Sequence, residues 1–175
     1  AVKAHLGEPV PSDDAVSYRP VGVLFAMAAL IAAAVHWHFT GRVFDLGLVP
    51  SFAAISMTLL ALLKLQDVQG FSVMFLNYDL LARRWVPYAS LYPWIEGLAG
   101  LLMLGGVLPW LSAPLAVLVG GVGAVSVVKA VYFEGRELKC ACVGAGNSVP
   151  LGFVSLTENL MMLGMGCWTA AKALT

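Results

Sequence analysis

Five long apolar runs constrain this chain more than anything else in it. They cover residues 20–39, 46–63, 90–111, 113–133 and 149–171. Crossing ~30 Å of hydrocarbon takes ~20 apolar residues in a helix. Backbone polar groups in lipid must be satisfied within the segment, so the runs can span only as helices. The fold class expected is therefore all-α, an integral membrane helical bundle of about five transmembrane helices. Composition agrees: hydrophobic residues make up 60% and charged residues 11%, against about 25% charged in a soluble domain. Mean hydropathy is +0.86. The formal net charge is zero, so nothing points to nucleic acid or to a strongly anionic partner. Three cysteines are too few for a secreted disulfide framework. The partner that composition does require is the lipid bilayer.

The chain divides into a polar tail at 1–19, an additional N-terminal transmembrane helix at 20–47 and a membrane domain at 48–175. The tail carries Pro9, Pro11, Asp13 and Asp14 and reads as mobile or docked on a partner. The first run ends in His36, Trp37 and His38 with no small-residue cleavage site, which suits an interfacial end better than a cleaved signal. Between the second and third runs, Phe71, Met74, Phe75, Tyr78 and Leu81 or Ala82 recur at helical spacing, predicting an interfacial helix. Trp85, Tyr88, Tyr92, Trp94 and Trp110 resemble an aromatic belt around the third run. Gly120, Gly121, Gly123, Ala124 and Ser126 leave the fourth run thin enough for close helix packing. With five crossings, eight of the ten Lys and Arg fall on one side: Lys3, Arg19, Lys64, Arg83, Arg84, Lys129, Arg136 and Lys139. Arg42 and Lys172 fall on the other. The positive-inside rule then puts the N-terminus and the 133–148 link in the cytoplasm of a bacterial inner membrane.

That link holds Cys140-Ala141-Cys142. Arg136 and Lys139 supply positive charge that favours thiolate, and Gly144 and Gly146 let the backbone turn and leave the sulfurs accessible. A disulfide needs Cα atoms within ~4.4–6.8 Å, so a Cys-x-Cys bridge would be strained and easily reduced. Two thiolates would also suit a soft metal such as Cu(I), although a closed zinc site wants four ligands. If a metal binds, Cys140 and Cys142 are its ligands. Glu158 and Glu96 are the other candidates for chemistry, because a carboxylate inside a membrane helix is costly and marks function or pairing. Asp67 and Asp79 would complete an acidic ring at the same end. These groups could accept protons during thiol exchange, or pair with Lys64, Arg83 and Arg84. His36 and His38 point apart on a helix. Met161, Met162 and Met165 read as apolar filler, and Cys167 reads as a small buried hydrophobe. With no Gly-rich phosphate loop, haem motif or paired His-on-helix pattern, no cofactor is predicted.

Several stretches stand in a telling order. They are Lys64-Leu65-Gln66-Asp67-Val68-Gln69-Gly70-Phe71, then Asn77-Tyr78-Asp79-Leu80-Leu81-Ala82-Arg83-Arg84, and Tyr92-Pro93-Trp94-Ile95-Glu96-Gly97. Further on come Lys139-Cys140-Ala141-Cys142-Val143-Gly144, Val149-Pro150-Leu151 and Leu156-Thr157-Glu158-Asn159-Leu160. Together they resemble the MauE/DoxX family of redox-associated membrane proteins. The resemblance implies a four-helix membrane domain over residues 48–175, with the first crossing added. It also implies a link to thiol–disulfide or electron-transfer processes; the site expected from the residues themselves is Cys140, Cys142, Glu158 and Glu96, with a membrane or redox protein as partner. Support for maturation of a disulfide-rich periplasmic subunit is implied as well. The chain departs from that pattern in its cytoplasmic thiols and in Asn159, where the family pattern leads one to expect an acid. Three readings stay open: a thiol-redox protein with oxidoreductase-like activity, a non-catalytic accessory subunit of a larger membrane complex, and a copper-handling protein.

Overall fold

Proline and glycine mark where the long helices start and stop. In this computed structural model, which describes residues 18–43, 45–136, 138, 140 and 150–174, helix α1 runs over Arg19–Thr40 with Pro20 in its first turn. A proline there gives up only an N–H that the helix would leave unbonded anyway. Gly41, at φ +69°, ends α1 by donating its N–H to the Trp37 carbonyl, a left-handed turn that suits glycine. Helix α2 is Leu48–Gln66. Asp67 then breaks the chain direction and starts α3, Val68–Leu76, by accepting the Gly70 N–H at 2.9 Å. Asp79 starts the short α4, Leu80–Arg84, in the same way. Helices α5, Pro87–Leu104, and α6, Pro109–Val127, each begin on a proline, and α6 continues as a π-helical segment over Val128–Phe133. The last helix is α7, Phe153–Leu174.

The described residues thus form an all-α bundle. Three of its helices are long and apolar enough to cross a membrane: Arg19–Thr40, Leu48–Gln66 and the continuous Pro109–Phe133. Helices α5 and α7 have comparable length, but Glu96, Glu158, Asn159 and Lys172 lie within them, so composition alone does not mark them as spans. Both are packed into the same bundle: α7 lies along α6, α5 lies along α2 and also meets α6, and α1 leans on α2. Lipid gives helices no hydrophobic reason to associate, so contact has to come from close fit. Gly120 supplies it, since a Cβ there would sit 2.7 Å from the Asn159 carbonyl oxygen and the Leu163 nitrogen. Gly166 does the same from the other side, against Val117 and the Ala113 backbone.

Two expectations change at this level. Tyr88 and Tyr92 do not belong to an aromatic belt: they are 2% and 3% exposed, inside the main core. Trp94 and Trp110, by contrast, are 62% and 70% exposed and face outward. The stripe on α3 turns inward as well. Phe71 and Phe75 are buried, and their rings pack on Tyr92 at 5.7 and 4.6 Å between centroids. Aromatic partners on α5 give those rings a better apolar contact than a lipid surface would, so α3 folds over the end of the bundle.

Candidate functional site

Three helices each bring one charged residue to a common point. Lys64 stands in the last turn of α2, Glu96 in the middle of α5 and Glu158 in the second turn of α7. The Lys64 Nζ donates to Glu96 Oε2 at 2.6 Å and to Glu158 Oε1. All three side chains are enclosed, at 2% exposure or less. The Tyr92 and Phe71 rings approach the ammonium to 5.3 and 6.0 Å, where the negative face of a ring attracts a cation. One ammonium faces two carboxyls, so the cluster carries a net negative charge unless it also holds a proton. Among the described residues Glu96 Oε1 finds no donor, and the two carboxyls meet at the same ammonium. A single proton between the carboxyls would satisfy that oxygen and cancel the charge, whose burial costs several kcal/mol or more.

A second set of contacts leads from this centre toward a thiol. The Tyr92 hydroxyl donates to Asn159 Oδ1 at 3.3 Å, and Asn159 Nδ2 donates to the Ser155 carbonyl at 2.7 Å. The Ser155 hydroxyl lies 3.0 Å from Cys140 Sγ. Ser155, Glu158 and Asn159 share one face of α7 because they are three and four residues apart. Cys140 therefore sits one helical turn from the charged centre, packed with Val21 of α1 and Val154 of α7.

Of the four site residues expected from sequence, Glu96 and Glu158 come together through Lys64, and Cys140 comes close to them. Cys142 lies outside the described residues. The expected accessibility of the thiols needs correcting for Cys140, which is 0% exposed. The acidic ring does not form either: Asp67 and Asp79 cap α3 and α4. Asp79 Oδ1 accepts from Leu81 N at 3.0 Å and Ala82 N at 2.8 Å. This turn is outside the long helices, and burial raises the Asp79 carboxyl above its ordinary range, more than the bonds from Ala82, Ser126 and Leu81 lower it. Met162 packs in the core as expected, but Cys167 is exposed rather than buried. His36 is buried, 3.9 Å from Asp45.

Lys64 takes up the carboxylate pairing that the sequence left open as an alternative, while Tyr92 and Ser155 acquire roles that the sequence reading did not assign them. Lys64 had counted as a loop charge; with it enclosed, the bias in loop charge is seven to two, from the original eight to two. A usable signal existed for Tyr92: Tyr88, Tyr92 and Glu96 repeat every four residues, which puts them on one face of a helix. Ser155 offered none.

The family model described as "Methylamine utilisation protein MauE" matches residues 43–172. This chain belongs to the MauE family. The matched region contains all of the site, and α1 lies before it. Neither the curated proteins nor the solved structures gave a match.

Proposed function

We propose that this MauE-family membrane protein exchanges thiols and disulfides with a partner protein. In this reading Cys140 and Cys142 alternate between dithiol and disulfide, while Glu96 and Glu158 take up and return protons. When the pair is oxidised, one S–S bond forms between the two cysteines and one breaks in the partner. Two electrons and two protons pass to the partner's sulfurs. The observation that carries the reading is the 3.0 Å approach of Cys140 Sγ to Ser155 Oγ, one turn of α7 away from Glu158. An ionisable cluster inside a membrane bundle is costly and points to function. A carboxylate within reach of a thiol can act as a general base, taking the proton as the sulfur attacks.

The test is a thiol count on purified protein, by mass-tagging maleimide, with and without reductant. A redox pair gains two tags on reduction, both lost in a Cys140→Ser, Cys142→Ser double variant. A pair that stays reduced against every disulfide offered ends the reading. The proposed sidedness, with the thiol link and N-terminus in the cytoplasm, is tested by impermeant maleimide on sealed vesicles of each orientation. The complete burial of Cys140 favours a second reading, in which the chain is an accessory subunit and the thiol only packs. Co-purification of a stable partner complex from a Cys140→Ser variant as efficiently as from the natural protein would support it.

A further inference from the structure

Two enclosed oxygens near the α3–α4 turn have no hydrogen-bond partner among the described residues: Asp79 Oδ2 and the Tyr88 hydroxyl. Asp79 is 0% exposed and Tyr88 2%. A dry, unbonded polar group costs about 1–3 kcal/mol, which fits a small hydrated passage better than packing filler. The Tyr88 ring lies 6.1 Å from the Phe75 ring, and the Phe75 carbonyl accepts the Asp79 N–H, so Tyr88 stands beside the turn on the helix that carries Glu96. Tyr88, Tyr92 and Glu96 follow one another down a single face of α5 at ~6 Å per step. The Tyr88 and Tyr92 rings meet edge to face at 5.9 Å. Asp79 itself is flanked by exposed Asn77 and Leu80, so it lies just beneath the surface.

We propose that Asp79 and Tyr88 conduct protons between the α3–α4 turn and the Glu96–Glu158 pair, with Tyr92 lining the passage. The proposal rests on the proton role given to that pair above. A proton arriving on Asp79 Oδ2 passes to the Tyr88 oxygen as that hydroxyl releases its own proton toward Glu96. Nothing is oxidised or reduced, and each group returns to its starting form. Glu96 lies two turns of α5 beyond Tyr88, about 12 Å along the axis, so a file of bridging waters beside Tyr92 completes the route. The surrounding groups do not block this route. Ser126 on α6 faces Asp79, Arg136 is engaged by the Asn77 carbonyl at 2.7 Å, and Arg83 and Arg84 point outward.

The test follows hydrogen–deuterium exchange of the buried carboxyl by its infrared C=O stretch, with the full chain in lipid nanodiscs. Glu96→Gln and Glu158→Gln assign the band. Asp79→Asn keeps the α4 cap and Tyr88→Phe keeps the ring, so both variants retain the packing. Each is expected to slow exchange by about a hundredfold, while Glu134→Gln leaves it unchanged. A band that exchanges at the natural rate in both variants overturns the route but leaves the shared proton standing. The absence of any protonated-carboxyl band from the natural protein overturns both.

Discussion

The α6–α7 interface and the α2–α5–α7 junction hold the same bundle together by opposite means. The first has no charge: Gly120, Gly123 and Gly166 let one helix press against the backbone or side chains of the other. The second is a cation and two carboxyls from three helices, with almost no exposed surface. The first is what a stable membrane bundle needs. The second is expensive, and a chain concerned only with stability would do as well with packed leucines. The contrast is the reason for assigning the proposed function to the charged junction, and it is broken wherever the two regions behave alike.

The largest effect is expected from Lys64→Ala, which leaves two facing carboxyls buried without their cation and costs about 3–5 kcal/mol. Replacing the whole cluster, as Lys64→Met with Glu96→Gln and Glu158→Gln, restores most of that stability while abolishing proton uptake. Reversible unfolding in mixed micelles measures both. A triple variant as unstable as the single one would mean that the junction is structural. Next, Gly120→Val overpacks the uncharged interface and costs about 1–3 kcal/mol. Its thiol chemistry should survive at temperatures where the fold does, and loss of redox activity in the folded variant would blur the two regions.

A smaller, pH-dependent effect is expected at Asp79. Its carboxyl is raised from an ordinary 3.8 by burial, so the folded state prefers the protonated form. The associated stability is fully present below pH 3.8 and declines as pH rises through the raised value. Melting temperature of the natural protein should therefore fall relative to Asp79→Asn between mildly acidic and neutral pH. A constant difference across that range would contradict the assignment. The smallest effect is expected from Trp94→Ala on the outer face of α5, within about 0.5 kcal/mol.

Much of the architecture was legible in the chain. The five apolar runs became α1, α2, α5, α6 with its π extension, and α7, and three of them are long and apolar enough to cross a membrane. The small residues of the fourth run gave its tight partnership with α7. Glu96 and Glu158 stood out because charge is rare in such runs. Lys64 stood out less: at the end of an apolar run a lysine normally reaches toward the lipid headgroups, whereas here Tyr92 of α5 and Phe71 of α3 close over it. Inward and outward aromatics cannot be separated by residue type, so Tyr88 and Tyr92 read the same as Trp94. The contact between Cys140 and Ser155 joins residues fifteen apart in the chain, which neither residue type foretells.

The proposed function requires that Cys140 and Cys142 form a redox couple that feels Glu158. A titration of the pair against buffers of graded thiol–disulfide potential, read by mass-tagging in the natural protein and in Glu158→Gln at several pH values, tests this directly. The prediction is a two-electron couple whose midpoint shifts with pH differently once the carboxyl is gone. A pair that never oxidises, or one whose potential is identical in both proteins at every pH, would contradict it.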